Sequence, residues 1–303
     1  MESFRLKVFR VAAEELSFTR AAEKLFLTQP AVTMQIKNLE DELHLRLFDR
    51  TGQRIALTPA GSVLQEYAKR IAVLCDQAET ALAGLRGEAV GSLSLAASTT
   101  IAQYLLPGLA GQFLHENPGV ELHIVSANTA DVVASLTAGR VRLGLIEGPA
   151  GRTDVKTESF LDDTLLLIAP PSHEWGETGA VDVAQLAQAP LILRERGSGT
   201  RDVVERALRK AGLELKKLKV VMELDSTEAV KSAVRAGLGV GFVSEWALSR
   251  EIALGLLKTV PVKKLDIRRQ FLFVYARGPE LTGIEGKFAR FAKMKRGELR
   301  SEQ

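Results

Sequence analysis

Cysteine is almost missing from this 303-residue chain. The only thiol, Cys75, has no partner within the chain, so neither an internal disulfide nor a thiolate metal cluster can form. Long apolar runs are missing too. The longest, such as LLLIAPP from Leu165, fall far short of the roughly 20 residues that a membrane span needs. The opening MESFRLKVFRVAAEELSF mixes charges into its apolar residues and lacks the continuous apolar region of a secretory leader. The expectation is a cytoplasmic protein with no membrane partner.

Catalytic signatures are equally scarce. His44, His115, His123 and His173 are scattered, with no H-E-x-x-H pair and no triad-like spacing, which leaves neither a metal site nor a general base to propose. Gly197-Ser198-Gly199-Thr200 lacks the Lys-Ser/Thr of a P-loop, and no G-x-S-x-G elbow surrounds Ser198. Gly237-Leu-Gly-Val-Gly follows a helical pattern and precedes a strand, the reverse of a dinucleotide fingerprint. The sequence therefore predicts a protein without a cofactor and without enzymatic activity.

The length suits about two domains of about 150 residues. Hydrophobic content of 46% beside 25% charged residues is globular composition. A net charge of +3 is compatible with a nucleic-acid partner but does not by itself argue for one.

The first 58 residues read as short helices. Leu6, Phe9 and Ala13 share one face of the first. Ser17 is placed to cap a second, on which Ala21, Ala22 and Leu25 face inward and the small alanines permit close helix approach. Thr28 caps a third, with Pro30 in its first turn, where a missing N–H costs nothing. On it Val32, Ile36, Leu39 and Leu43 are expected inside, and Gln29, Thr33, Met34, Lys37 and Asp41 outside. A polar outer face on one helix is ordinarily only a solvated face. Two helices joined by a short turn, the second opened by proline, describe a helix-turn-helix whose second helix enters the DNA major groove. Gln29, Thr33 and Lys37 carry groups that read base edges, Met34 can touch a thymine methyl or a sugar, and Thr28 is placed for phosphate. LFDRTGQRIALTPAG then reads as a hairpin between Phe48 and Leu57, a wing carrying Arg50, Gln53 and Arg54 toward phosphates or the minor groove.

From Pro59 to about Gly87 the pattern is one long helix. Leu64, Tyr67, Ile71, Leu74, Ala78, Ala81 and Leu85 alternate at three and four residues, a heptad seam. About 26 helical residues span roughly 39 Å, so the seam lies along its own domain or pairs with a second copy. Cys75, beside the seam, is read as an apolar filler, with a redox role left open.

Beyond Gly91, strands alternate with helices. GSLSLAAS, ELHIVSA, VRLGLIEG, TLLLIAPP, PLILRE, KVVMEL, VGFVS and FLFVYAR are expected strands, separated by helices over 101–116, 130–138, after GSGT and over 227–236, with a final helix over 284–295. Parallel α/β layers with sites at strand C-termini are implied. Ser98-Thr99-Thr100, Ser198-Gly199-Thr200 and Ser226-Thr227 each follow a strand and open a helix, offering hydroxyls, free N–H groups and a positive helix end to a small anion. Each alone is an ordinary N-cap; their equivalent positions argue for convergence. Glu147 opposes that reading, because a carboxylate in the cleft repels an oxyanion unless Arg194, Arg196 or Arg201 offsets it, or unless the ligand carries a cationic or protonated part.

FTRAAEKLFLTQPAVTMQIKNLEDELHLRLFDR followed by IALTPAG resembles the winged helix-turn-helix of the LysR-type transcriptional regulators, and the resemblance extends over essentially the full length. It implies an all-α winged helix-turn-helix over 1–58, a linker and dimerisation helix over 59–87, and an α/β effector-binding domain over 88–303. That domain would have two lobes like periplasmic binding proteins, lobe I from 91–162 with 268–303 and lobe II from 163–267, joined by two crossing strands. It also implies that Ser98, Thr99, Thr100, Asn128, Glu147, Ser198, Gly199, Thr200, Ser226, Thr227 and Phe242 line the effector pocket. The implied partners are double-stranded DNA with an inverted-repeat operator, a small acidic effector, further copies of the chain as a dimer or a dimer of dimers, and RNA polymerase. LGLIEGP and LILRERGSGTRDVVE resemble the branch of sulfite and sulfur-assimilation regulators, with Calvin-cycle regulators as cousins. A sulfur oxyanion or a phosphorylated metabolite is thus the expected effector. The competing reading is a solute-binding module or carrier whose N-terminal helices serve only for oligomerisation.

Overall fold

Side-chain caps set the helix boundaries of the N-terminal unit. The structure is a computed structural model that describes residues 2–49, 55–85, 91–176, 179–277 and 281–299. It divides into two units, residues 1–88 with 138–140, and residues 89–137 with 141–303. In the first, α1 (Phe4–Glu15) is followed by α2 (Phe18–Leu25), whose cap Ser17 accepts the Arg20 N–H at 3.3 Å. Thr28 accepts the Ala31 N–H at 3.4 Å and opens α3 (Gln29–Leu43), with Pro30 in the first turn. Leu16, Phe26 and His44 end these helices in the left-handed region, which reverses the chain within one residue.

The stripes so aligned bury Val8, Phe9, Ala12, Ala21, Ala22, Val32 and Ile36. β1 (Phe48–Asp49) pairs antiparallel with β2 (Ala56–Leu57), Phe48 opposite Leu57. The Phe48 ring meets Phe9 and Phe18 edge-on at 5.6 and 5.1 Å, the favoured geometry for aromatic pairs. Arg50, Gln53 and Arg54 lie outside the described residues. Leu43, expected inside, is 41% exposed. The helix stops beside it, and Leu47 and Phe48 fill that end of the core instead. α4 (Pro59–Leu85) then runs for 27 residues. A side chain at Gly61 would place its Cβ 2.0 Å from the Leu47 carbonyl oxygen, so only glycine lets α4 pass the Leu47 backbone so closely. Ala68 seals the core and Leu64 packs on it, whereas Tyr67, Ile71 and Leu74 are exposed. The side chains of Ala81 and Leu85 lie outside those described.

The second unit contains β3 (Gly91–Ser98), α5 (Leu106–Glu116), β4 (Val120–Ala127), α6 (Thr129–Thr137), β5 (Leu143–Glu147) and the long β6 (Val155–Ala169). It continues through α7 (Val183–Leu186), β7 (Leu191–Arg194), α8 (Gly199–Lys210), β8 (Val220–Leu224), α9 (Thr227–Arg235) and β9 (Val240–Ser244). α10 (Ser249–Ala253), β10 (Lys258–Thr259), β11 (Ile267–Ala276) and α11 (Gly283–Leu299) complete it. Its strands join in the order β4-β3-β5-β11-β6-β9-β7-β8, with β10 on β6.

Parallel pairing holds within each half: β3 with β4 and β5, and β7 with β8 and β9. The two strands in the middle depart from it. β6 and β11 are antiparallel to one another from Leu165–Ile267 to Val155–Ala276, and each also pairs into a lobe, β11 with β5 and β6 with β9. Two-lobed architecture follows, with the chain crossing between lobes twice. The first half of β6, VKTESFLD, was not among the expected strands. Lys156, Thr157, Glu158, Ser159 and Asp162 are exposed and only Val155, Phe160 and Leu161 are buried, so this half lacks the period-two pattern by which a strand is recognised. The single helix expected over 101–116 is instead a π-helical turn, Ile101–Leu105, leading into α5.

In lobe I, Phe113 packs edge-on against Phe288 and Phe291 at 5.1 and 5.3 Å, tying the returning α11 to α5. In lobe II, Leu167, Leu193, Val204, Leu208 and Val240 form the core, and Phe242 belongs to it.

Candidate functional site

Two surfaces gather the residues singled out by sequence. On α3, Gln29, Pro30, Met34 and Lys37 are exposed and Thr33 is half-buried. The Thr33 hydroxyl donates to the Gln29 carbonyl at 3.0 Å and accepts from the Gln29 amide at 3.2 Å, so these two side chains are organised as one polar step. Lys37 has no carboxylate partner among the described residues. The far end of α3 is held by a residue that the periodicity did not flag. Glu40, 3% exposed, accepts the backbone N–H groups of Leu47 and Phe48 at 2.8 and 3.2 Å and pairs with Arg46. Its place between apolar Leu39 and the LFDR exit was the available signal, since a carboxylate there has to find donors.

In the second unit the three Ser/Thr turns do converge on the seam between lobes. The Glu147 carboxylate, at the C-terminus of β5, accepts four hydrogen bonds: Ser98 hydroxyl at 2.9 Å, Thr100 N–H at 3.1 Å, Thr200 hydroxyl at 2.8 Å and Arg269 Nη1 at 2.6 Å. Ser98 and Thr100 come from lobe I, Thr200 from lobe II, and Arg269 from crossing strand β11. Arg269 Nε also pairs with Asp163 of β6 at 2.5 Å, and Asp163 accepts from Ser244 at 2.6 Å. Backbone closes the same seam: a Cβ on Gly199 would lie 2.0 Å from the Glu147 carbonyl oxygen, and the Ala130 N–H donates to the Gly197 carbonyl at 3.2 Å.

Beside it lies a second polar group. Thr100 and Thr227 hydroxyls meet across the lobes at 3.3 Å. Arg194, 4% exposed, donates to Thr227 at 3.3 Å, to Thr99 at 3.2 Å and to the Asp225 carbonyl at 3.2 Å. At the rim, the Tyr104 hydroxyl from the π-helical turn donates to Glu228, and Lys231 joins Glu228 and Glu251, each at 2.8 Å.

Other expected pocket residues have local work. Ser198 caps α8 through the Arg201 N–H at 3.5 Å, Ser226 caps α9 through Ala229 N–H at 3.1 Å, and Asn128 accepts the Asp131 N–H at 2.9 Å. Phe242 is only 5% exposed within the lobe II core, because β9 alternates and turns it toward Leu167 and Leu193. Arg201 is occupied by Glu205, Glu223 and the Arg194 carbonyl, so it braces the strand end and does not offset Glu147. Arg196 is exposed. The offsetting cation is Arg269, which sequence reading passed over. The signal was there: in IRRQFLFVYA, Arg269 falls in the same alternate file as Ile267, Phe271 and Phe273, all buried.

These charges govern one another. Burial pushes the Glu147 carboxyl up, but the Arg269 charge, hydrogen bonds from Thr200 and Thr100 and the Arg194 charge outweigh it and hold it down at about 2. For Asp163 burial prevails over Arg269 and Ser244, and its carboxyl is raised. Because Glu147 drops from an ordinary 4.5 to about 2, its stabilisation, about 3 kcal/mol, is complete above pH 4.5 and lost as pH falls toward 2. Asp163 acts in the opposite sense. The thermal midpoints of the native protein and Glu147→Gln should therefore differ above pH 4.5 and converge in acid. Parallel curves across that range would show that Glu147 is not held in this way.

Among the described residues no cluster of His, Cys, Asp and Glu is arranged to hold a metal ion, and no helix is long and apolar enough to cross a membrane.

Family comparisons agree with this architecture. Residues 4–62 match the bacterial regulatory helix-turn-helix protein, lysR family, and residues 86–295 match the LysR substrate binding domain. The RuBisCO operon transcriptional regulator of Allochromatium vinosum is 37% identical over 287 residues, covering 95% of this chain and 94% of its own. The Synechocystis PCC6803 CcmR regulatory domain in complex with 2-PG is 27% identical, with a TM-score of 0.62 over 67% of this chain and 96% of that one. Full-length CbnR complexed with target DNA has a TM-score of 0.70 over 98% of this chain and 100% of its own, at 22% identity, a likeness of fold alone. The chain belongs to the LysR family of transcriptional regulators, DNA-binding proteins that are not enzymes, with the family's helix-turn-helix at the N-terminus and its substrate-binding domain after it.

Proposed function

We propose that this regulator senses a small phosphorylated acid in the seam between lobes I and II and reads its operator with α3. One observation carries the effector reading: buried Arg194 bonds the hydroxyls of Thr99 from one lobe and Thr227 from the other, and Thr227 meets Thr100, so an anion bound there touches both lobes at once. Support for phosphate over a sulfur oxyanion comes from the relatives. The A. vinosum protein regulates a RuBisCO operon, and the CcmR domain holds 2-PG, 2-phosphoglycolate. Target genes of the same kind are the first to test. Exposed Tyr67, Ile71 and Leu74 on α4 support pairing with a second copy, which would set two α3 helices at a spacing that matches operator half-sites. An effector that binds one assembly state better than another then changes that spacing.

The test of DNA reading is titration of duplexes from the protein's own upstream region at several salt concentrations. Lys37→Ala and Gln29→Ala should each lower specific affinity by about 1–3 kcal/mol with unchanged thermal midpoints. If neither variant loses affinity, the docking of α3 is wrong. For the effector, 2-phosphoglycolate should raise the thermal midpoint more than sulfate or sulfite does, and Thr100→Val should abolish that rise. A larger rise with sulfite would move the reading to sulfur oxyanions.

A further inference from the structure

The seam holds two guanidinium groups, each already paired with a carboxylate, so an incoming acid has to displace one of them. Arg269 is paired with Glu147, whose side chain is 2% exposed and which takes donors from both lobes and a crossing strand. Taking Arg269 from it would leave a buried carboxylate without its counter-charge, a strongly unfavourable state. Arg194 is paired with its own neighbour, Glu195. Nε donates to Glu195 Oε2 at 2.8 Å and Nη2 to Oε1 at 3.1 Å, a bidentate grip on the side of the guanidinium that a phosphate would use. The Glu195 side chain is 24% exposed, sits in the loop between β7 and α8, and has no other carboxylate hydrogen bond among the described residues. It can rotate into water, where its charge is solvated.

Resting on the reading under Proposed function, we infer that Glu195 is a tethered counter-ion that the effector's phosphate displaces from Arg194, and that it sets the affinity threshold of the site. When Glu195 leaves, Arg194 keeps Thr227 through Nη1 and Thr99 and the Asp225 carbonyl through Nη2, and the freed Nε faces the acid. A tethered carboxylate acts as a competitor at high effective concentration. Every free anion is weakened by the same factor, so weak monoanions fall out of range while a phosphate dianion with several hydroxyl donors stays within it. At a given effector concentration the site is thereby filled only by acids that bind tightly enough, while their relative affinities are unchanged.

Isothermal titration of the full chain with 2-phosphoglycolate, glycolate and the neutral glycolamide tests this. Glu195→Gln should bind both acids about tenfold more tightly than the native protein and leave glycolamide unchanged, at an unaltered thermal midpoint. Glu195→Ser, which cannot keep an amide on Arg194, should give the same gain. Unchanged or weaker binding of 2-phosphoglycolate in both variants, while the native protein binds it and Thr100→Val does not, would overturn the role of Glu195 and leave the effector reading standing. Absence of 2-phosphoglycolate binding in the native protein and in both variants would remove the effector reading and this inference together.

Discussion

Replacing Arg269 by methionine is expected to lower the unfolding free energy of the effector-binding unit by about 3–5 kcal/mol. Arg269 pairs with Glu147 at 2.6 Å and Asp163 at 2.5 Å, and all three side chains are almost wholly buried. Without the guanidinium, two carboxylates remain in a site that water does not reach. Lysine does not replace it, because one ammonium lacks the planar fork that bonds both acids at once. The triple variant Arg269→Met, Glu147→Gln, Asp163→Asn should recover most of the loss, since removing the charges together removes their desolvation cost. Urea unfolding of the full chain measures both. A single variant as stable as the native protein would show that the cluster contributes nothing net.

Gly199→Ala is expected to reduce affinity for 2-phosphoglycolate at least tenfold and to lower the stability of the effector-binding unit. Gly199 is the first residue of α8, where alanine would ordinarily favour the helix by several tenths of a kcal/mol. Here the added Cβ would lie 2.0 Å from the Glu147 carbonyl oxygen and 2.7 Å from Thr129 Oγ1. Backbone cannot yield as a flexible side chain does, so the lobes have to part. A ligand that bridges Thr99 and Thr100 on one lobe and Thr227 on the other then loses the second half of its contacts. The effect is read by titration beside small-angle scattering, which should show a larger radius of gyration. Unchanged affinity with unchanged dimensions would mean the clash is absorbed within lobe II.

Local rules made much of this fold legible. Ser17 and Thr28 could be recognised as caps from one residue type beside an apolar period, and Pro30 confirmed the direction of α3. The Ser/Thr turns could be placed at strand ends for the same reason. What escaped were features decided by distant partners. Nothing in IAQYL distinguishes a π-helical turn from α-helix, because Tyr104 is positioned by Glu228, far along the chain. VKTESFLD is absent from the expected strands, and it becomes one because β11 pairs along it. Phe242 was assigned to the pocket by resemblance, although its place in the alternation of VGFVS turns it into the lobe II core. Arg269 was overlooked because a charged residue in a strand reads by default as outward, and only its buried file-mates argue otherwise.

The double crossing also dictates the order in which the chain can fold. β5 finishes its pairing only with β11, Phe271 opposite Glu147, and β6 needs the same strand along its length. All of lobe II is synthesised before that strand appears. On the ribosome, therefore, an early lobe I carries open apolar strand edges until nearly the last element emerges, and such edges are templates for association. Non-local closure of this kind is slow. A chain cut anywhere before Ala276 would forfeit part of both lobes, however complete the rest of lobe I might be.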